Sequence, residues 1–440
     1  MKKFEAKKQR QDSSTPQSHG QWKKIIINLS EQKLLGAYLG FVTIWAITVS
    51  TIFRSSWAGD DWPISQTPHW IRWRYGAVTN WNIWTEAMFW NDQWMEGAGR
   101  FYPLTWIESR FVFSYLTELW QYKLYQIFML FLAGLFLTLI VYLFTRSHTI
   151  TLFVLASLPL TVQFRRDFDP HLAFAVMLPS LLIKIFLASI FAYLAGRSKR
   201  RFVGINFGVL SGFIFFAAMS TYEFGFLLFP LLVISFLFGS SEEHSLLKKS
   251  SPYLSWLISI KFLPIMISWI SYGIFVFGYL RPRATAISGS YVLGVSWSSV
   301  EVFLSQAIMG LPLISLRTGD LSLSLFTILI SLLIIFMCRR SFKSFFYGLD
   351  RRNERIDKQG SQSGHFNQNR LLLLLYSLAL VLSPGFMMAM QPTWWDRADV
   401  KHTYLGVMIT EFGTAILIGL LLERLISINP NLAIKMKKNL

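Results

Sequence analysis

Two adjacent carboxylates, Asp60 and Asp61, follow the first long apolar run, between Trp57 and Trp62 and just before Pro63. A carboxylate at a membrane surface, partly shielded from water, keeps enough basicity to accept a proton from a hydroxyl group, and a pair can help to hold a divalent cation. The structural alternative is an Asp-Asp turn that caps the next helix. The polar residues elsewhere in the chain favour the chemical interpretation.

The other candidate residues share one property. Each lies near the mouth of a predicted membrane helix, on the same side as the aspartates. Guanidinium groups in this position suit a phosphate head group, although arginines that only extend towards lipid are an alternative. Tryptophan rings suit the face of a sugar. The candidates for substrate binding are Arg100, Arg165, Arg166, Asp167, His171, Glu223, Arg397, His402, Tyr404, Trp57 and Trp62, and Arg281 and Arg283 lie on the same side.

Three charged residues lie where a membrane would make them costly. Glu223 occupies a hairpin of a few residues between two apolar runs and therefore needs a partner. Lys184 and Glu411 fall inside predicted membrane helices. They indicate either a structural ion pair or a polar path for a ligand.

The composition identifies the class of protein that must position these residues. Hydrophobic residues make up 53% of the 440 residues, charged residues 15%, and the mean hydropathy is +0.42, which is typical of a membrane protein. The fold prediction is an all-α, polytopic membrane bundle. Apolar runs of spanning length predict about ten transmembrane helices, at 34–53, 123–144, 150–164, 172–196, 202–219, 224–239, 257–280, 321–337, 371–390 and 404–422.

The distribution of charge predicts the orientation of this bundle. Roughly two-thirds of the 42 lysines and arginines fall on one side, which is therefore cytoplasmic and holds both termini. This bias accounts for the net charge of +18 and argues against a nucleic-acid partner. The predicted organisation is a disordered basic cytoplasmic tail (1–33), a transmembrane domain (34–423) with an extracytoplasmic loop (54–122) and a cytoplasmic loop (339–370), and a basic cytoplasmic tail (424–440).

The long outer loop contains a segment that resembles a helix lying in the membrane interface. Residues 103–120 are apolar but interrupted by Glu108, Arg110 and Glu118. Residues 298–316 are similar, and a membrane crossing there would invert the topology that follows. Ten of the 17 tryptophans lie between Trp57 and Trp120, which is typical of an interfacial belt and also of platforms for sugar rings.

An acidic pair after the first membrane helix, in a long outer loop with an interfacial helix, resembles the GT-C superfamily of membrane glycosyltransferases. The stretch Gly99-Arg100-Phe101-Tyr102-Pro103-Leu104 is similar to one in bacterial members, including those that glucosylate surface polysaccharides. The segment 397–405, with His402 and Tyr404, is similar in placement to a basic, tyrosine-containing loop before a late helix in other members.

The resemblance implies a polyprenyl-phosphate-sugar donor and a cell-surface glycan or lipid-linked acceptor at the extracytoplasmic face of the cell membrane. It implies that Asp60 or Asp61 deprotonates the acceptor, that Arg100, Arg165, Arg166, Arg397 and His402 neutralise the leaving phosphate, and that Glu223 holds a sugar hydroxyl. Two alternatives are a polymerase or ligase of lipid-linked polysaccharide and a transporter or flippase. A transporter predicts internal pseudo-symmetry, for which the sequence shows no fixed-period repeat.

Overall fold

The computed structural model describes residues 18–55, 57, 61–162, 177–244, 259–284, 294–311, 329, 363–391, 395 and 406–428. Every element within these residues is a helix, which confirms the all-α prediction for the described part of the chain. The helices are α1 (Ser18–Ser50), α2 (Asp61–Ser65), α3 (Thr67–Tyr75), α4 (Asn80–Ala98), α5 (Pro103–Tyr115), α6 (Leu119–Thr145), α7 (His148–Thr161), α8 (Met177–Arg197), α9 (Arg201–Thr221), α10 (Phe224–Leu227), α11 (Phe229–His244), α12 (Leu263–Gly273), α13 (Trp297–Met309), α14 (Ser363–Ala389) and α15 (Val407–Ile428).

Six of these helices are long and apolar enough to cross a membrane, which supports a multi-pass membrane protein. The spanning segments are Leu34–Phe53, Leu119–Thr145, Met177–Arg197, Arg201–Thr221, Leu263–Arg283 and Asn369–Ala389. The first and fifth extend past the ends of α1 and α12 into the short helical turns that follow them. Two further apolar helices, His148–Thr161 and Phe229–Ser240, are shorter. Apart from residue 329, the predicted span at 321–337 lies outside the described residues, so the count of ten stays a prediction.

The bundle has a basic end, where the chain segments predicted to be cytoplasmic meet. The Arg146 guanidinium donates to the hydroxyl of Tyr193, which also accepts from Arg197. At the same end Lys261 donates to the carbonyl oxygen of Ser198. Helices α9 and α12 both run from this end to the opposite one, which we call the Glu223 end after the residue that follows α9.

A row of glycines lets α9 and α12 pack closely. Gly204, Gly208 and Gly212 are spaced four residues apart and lie on one face of α9. A Cβ atom on Gly208 would lie 2.0 Å from the carbonyl oxygen of Lys261, and one on Gly212 would lie 2.8 Å from that of Pro264. Small residues at this spacing allow two membrane helices to pack backbone to backbone.

The predicted loop 54–122 contains four helices, α2 to α5, which we call the cap. Helix α5 lies between the rest of the cap and the bundle. The hydroxyl of Thr105 donates to the carbonyl oxygen of Thr221 at the end of α9. On the cap side, Arg110 Nη1 donates to the Thr67 hydroxyl at 2.7 Å. The sequence therefore predicted a helix at this place. Its polar side chains, however, contact protein and not the aqueous side of a membrane interface.

Several helix boundaries differ from the predictions. Helix α1 begins at Ser18, inside the tail predicted to be disordered, and α15 continues to Ile428. Helix α14 begins at Ser363, inside the predicted cytoplasmic loop. An established helix adds one hydrogen bond per residue without a new nucleation cost, so it extends past the apolar run that predicts it. Helix α13 has 13 residues, about 20 Å in length, which is shorter than the hydrocarbon thickness of about 30 Å.

Candidate functional site

Three charged residues from separate parts of the chain meet at the Glu223 end. Glu223 is 1% exposed in the turn between α9 and α10. Arg100 Nε, from the segment before α5, donates to Glu223 Oε1 at 3.0 Å. Arg281 Nη2, just after the π-helical continuation of α12, lies 3.6 Å from Glu223 Oε2. We call these three residues the Arg–Glu–Arg cluster.

The local sequence explains how Arg100 reaches this position. Gly99 ends α4 with a positive φ of 62°, a conformation that glycine adopts without strain. A Cβ atom at Gly99 would lie 2.7 Å from the Cα atom of Arg281, so only glycine allows the two segments to approach this closely. The guanidinium of Arg100 lies over the rings of Tyr102 and Tyr222, at 4.7 and 5.5 Å from their centroids. Gly99 therefore packs against the Arg281 segment, and Arg100 supplies a charged side chain to the cluster.

A small cavity adjoins the cluster. It has a volume of about 120 Å³. Glu223, Arg281 and Gln391 supply its polar wall, and Phe226, Leu227, Phe277, Phe386, Met387 and Met390 supply the apolar remainder. Among the described residues, Glu223 Oε2 and Arg281 Nε are buried without a hydrogen-bond partner. The cavity thus combines a charged wall that retains hydrogen-bonding capacity with a lining that suits hydrocarbon.

Asp61 lies in a second polar cluster, under the cap. Its side chain is 4% exposed, and its Oδ2 atom accepts hydrogen bonds from the Tyr122 hydroxyl at 2.7 Å and from Gln126 Nε2 at 3.3 Å. The ring of Trp57 stacks on Tyr122, with centroids 5.1 Å apart. The buried ammonium group of Lys123 interacts electrostatically with Asp61, and its Nζ atom has no hydrogen-bond partner among the described residues. Asp61 is therefore fixed in position and shielded from water.

A third cluster holds the cap together. Glu86 is buried between Arg74 Nη1, at 2.8 Å, and Trp90 Nε1, also at 2.8 Å. Burial lowers the pKa of Arg110 to about 10, and the nearby Glu86 carboxylate counteracts this shift. Trp90 stacks on Trp106, with centroids 5.7 Å apart. Trp106 also stacks on Tyr102, with centroids 6.1 Å apart, and the Arg110 guanidinium lies over both tryptophan rings, as expected for a structural core.

Lys184 has its predicted partner, but on an unexpected helix. Its ammonium group forms an ion pair with Glu108 of α5, and the Ser180 hydroxyl donates to the same carboxylate. Glu411, the other charge predicted inside a span, is buried in α15. The ion pair between Lys184 and Glu108 therefore attaches the cap to α8, as expected if Lys184 forms a structural ion pair.

The structure brings together part of the predicted set of site residues. Arg100 and Glu223 are in direct contact, whereas Asp61 and Trp57 belong to the separate cluster around Tyr122. Trp62 is exposed. The remaining predicted site residues, Asp60, Arg165, Arg166, Asp167, His171, Arg397, His402 and Tyr404, lie outside the described residues.

Sequence reasoning did not single out Tyr122, Lys123 and Gln126. The available signal was the spacing of four residues between Tyr122 and Gln126 at the start of an apolar run, which places both on one helix face. The described residues contain no group of three His, Cys, Asp or Glu side chains that could hold a metal, and Asp60 lies outside them, so the possible divalent cation stays a prediction.

The fold and these clusters define a class: an all-helical protein with membrane-capable helices and charged residues buried at one end of the bundle. No family model, curated protein or solved structure matches the chain. The resemblance to GT-C glycosyltransferases therefore depends on the sequence motifs alone.

Proposed function

We propose that this chain is an integral-membrane glycosyltransferase that takes a sugar from a polyprenyl-phosphate donor. The acceptor is a cell-surface glycan or a lipid-linked molecule at the extracytoplasmic face, and both termini are cytoplasmic. The observation that carries the proposal is the Arg–Glu–Arg cluster beside an apolar cavity.

The charge of the cluster supports this choice of donor. Arg100, Arg281 and Glu223 together carry one positive charge, and a sugar-phosphate-polyprenyl diester carries one negative charge. Binding of the diester would neutralise a group of charges that is costly at a membrane boundary. Arg281 Nε is a buried donor with no hydrogen-bond partner among the described residues, and a phosphate oxygen is a suitable acceptor. The apolar side of the cavity would hold the first part of the polyprenyl chain.

The proposed reaction is a direct displacement with inversion. The acceptor oxygen attacks the anomeric carbon, the bond to the phosphate oxygen breaks, and a carboxylate takes the acceptor proton. The arginines stabilise the charge of the departing phosphate. Asp61 is engaged by Tyr122 and Gln126 in a buried site, so we assign it to positioning the loop and Asp60 to proton transfer.

Binding of a short-chain polyprenyl phosphate to the purified protein tests the donor site. Arg281→Gln removes one charge-assisted contact, which is worth about 1.5–3 kcal/mol, so we expect binding weaker by roughly tenfold to a hundredfold. Arg283→Gln is the matched control, because the side chain of Arg283 is exposed and contacts Tyr279, donating to its carbonyl oxygen and lying over its ring. Equal binding by Arg281→Gln and the control would contradict the proposal.

Sugar transfer in membranes tests the assignment of the aspartates. We expect Asp60→Asn to abolish transfer while the protein keeps its stability and its affinity for polyprenyl phosphate. Asp61→Asn should lower stability as well, because its carboxylate is part of the buried cluster. Normal transfer by both variants would rule out catalysis by this pair.

A further inference from the structure

Helices α3 and α4 differ from typical water-soluble helices, because they bury some polar side chains and expose several aromatic ones. Glu86 and Asn91 of α4 and Thr67 of α3 are buried inside the cap. By contrast, Trp73 is 78% exposed and Trp81 is 75% exposed. A helix in water turns its apolar face inwards, whereas a protein surface in contact with lipid turns its polar groups inwards.

Four of the five exposed tryptophans of the cap lie on α3 and α4. They are Trp70 and Trp73 on α3 and Trp81 and Trp84 on α4, and we call them the tryptophan face; the fifth, Trp62, lies on α2. Trp70 and Trp73 are in edge-to-face contact, with centroids 6.4 Å apart. Arg72 is exposed on the same helix. Tryptophan with arginine is the composition that favours the lipid head-group layer, where the ring is partly buried and the cation meets phosphate.

The exposed side of α4 changes character along the helix. Its first half exposes Trp81, Trp84 and Phe89, and its second half exposes Asp92, Gln93 and Glu96. Residues 81 and 93 are about 18 Å apart along the helix axis. The exposed surface therefore changes from aromatic to polar within one helix, as expected if only the first half meets the membrane.

The first residue of α4 contacts the end of α5, which leads into a membrane-capable helix of the bundle. The hydroxyl of Tyr115, at the end of α5, donates to Asn80, the first residue of α4. A few residues later, α6 begins with exposed Trp120, and Leu124 and Phe128 on the same helix are also exposed. Because α6 is a membrane-capable helix, its exposed apolar side chains are expected to face lipid. The junction between α5 and α6 thus links the start of α4 to this surface.

We propose that the tryptophan face docks into the head-group layer of the bilayer, with Arg72 beside lipid phosphates and the 92–96 segment in water. The partner is the phospholipid surface of the membrane that holds the bundle. The cap is then seated on the membrane through α3 and the first half of α4, while α5 is enclosed between the rest of the cap and the bundle. This inference does not depend on the proposed glycosyltransferase activity.

Nitroxide labels at single cysteines test the depth of this face in proteoliposomes of phosphatidylethanolamine and phosphatidylglycerol. The labels are placed by Trp73→Cys and by Trp81→Cys in a Cys338→Ser background. Gln93→Cys is the matched aqueous control on α4, and Phe128→Cys is the lipid control on α6. We expect labels at 73 and 81 to be relaxed more by oxygen than by a water-soluble nickel chelate, as at 128, with the nickel effect several-fold larger at 93.

Labels at 73 and 81 that respond to nickel as strongly as the label at 93 would overturn the proposal. If nickel relaxes the labels at 73 and 81 and this effect is lost when a soluble surface polysaccharide is added, the face binds glycan. That result would also overturn the proposal. Hydroxyl-radical footprinting of the unmodified chain in lipid nanodiscs gives the same decision without substitutions. Protection of Trp73 and Trp81 supports docking, and oxidation at the rate of the SDS-unfolded protein opposes it.

Discussion

Replacing Glu223 by glutamine should destabilise the protein more than any other single change in the Arg–Glu–Arg cluster. Glutamine has nearly the same shape, but it removes the only negative charge among the three residues. Arg100 and Arg281 would then lie at the same buried place with two positive charges and no counter-charge within the cluster. The substitution therefore changes an arrangement with one excess charge into one with two.

The two contact distances determine how much the Glu223 carboxylate contributes to the free energy of unfolding. At contact distances of 3.0 and 3.6 Å and an effective dielectric constant of about 20, each arginine attracts the carboxylate by about 5 kcal/mol. Desolvation of the three groups and repulsion between the arginines offset most of this attraction. The remaining net cost is that of removing one partner from a buried pair, about 3–5 kcal/mol. Arg281→Gln should cost only about 1–2 kcal/mol, because the charge-balanced contact between Arg100 and Glu223 persists.

Unfolding by SDS in mixed micelles, followed by circular dichroism, measures these free energies. Asp92→Asn is the matched control, since it makes the same carboxylate-to-amide change at an exposed position, and we expect an effect within about 0.5 kcal/mol. The decisive comparison is between the two cluster variants. If Arg281→Gln costs as much as Glu223→Gln, the stability of this region does not depend on charge balance, and the reasoning is refuted.

Two further predictions concern the second cluster and the helix packing. Tyr122→Phe removes the hydroxyl that donates to Asp61 at 2.7 Å, so the free energy of unfolding should fall by about 1.5–3 kcal/mol in the same SDS titration. An unchanged value would show that this hydrogen bond does not contribute to stability. Gly208→Leu places its Cβ atom against the carbonyl oxygen of Lys261, so the free energy of unfolding should fall by at least about 1–3 kcal/mol, the usual overpacking penalty. Gly97→Ala is the control, because no atom lies within 4 Å of the new Cβ, and it should be neutral or slightly stabilising. Equal losses in the two variants would refute the packing argument.

The sequence was most informative where one physical requirement dominates. Apolar runs of spanning length predicted membrane helices because a chain in lipid must satisfy its own backbone hydrogen bonds. The position of Glu223 between two such runs predicted that its carboxylate has a partner, and the structure supplies Arg100 and Arg281. The sequence could not show which arginines these would be, because they are far from Glu223 along the chain.

The sequence was less informative where one residue type suits two environments. Trp57 was a candidate for binding a sugar ring, but it stacks on Tyr122 over the Asp61 cluster. Trp81 is exposed, although both tryptophans belong to the same tryptophan-rich stretch. Only the tertiary contacts of each ring separate a packing role from a surface role. Glycine is a similar case, since the importance of Gly99 depends on the approach of Arg281 from a distant segment.

The charges that interrupt α5 have a different meaning from the one their sequence first suggests. A helix in the membrane interface needs its polar residues on one face, yet Glu108 and Arg110 are separated by about 200° around the helix axis. Such a helix cannot satisfy both charges from a single aqueous side. The structure gives each one its own partner, with Lys184 of the bundle on one side and Thr67 of the cap on the other. Opposed charges on a short apolar helix are therefore better evidence for a helix enclosed between two protein layers, and this places α5 directly between the bundle and the other cap helices, which carry the tryptophan face.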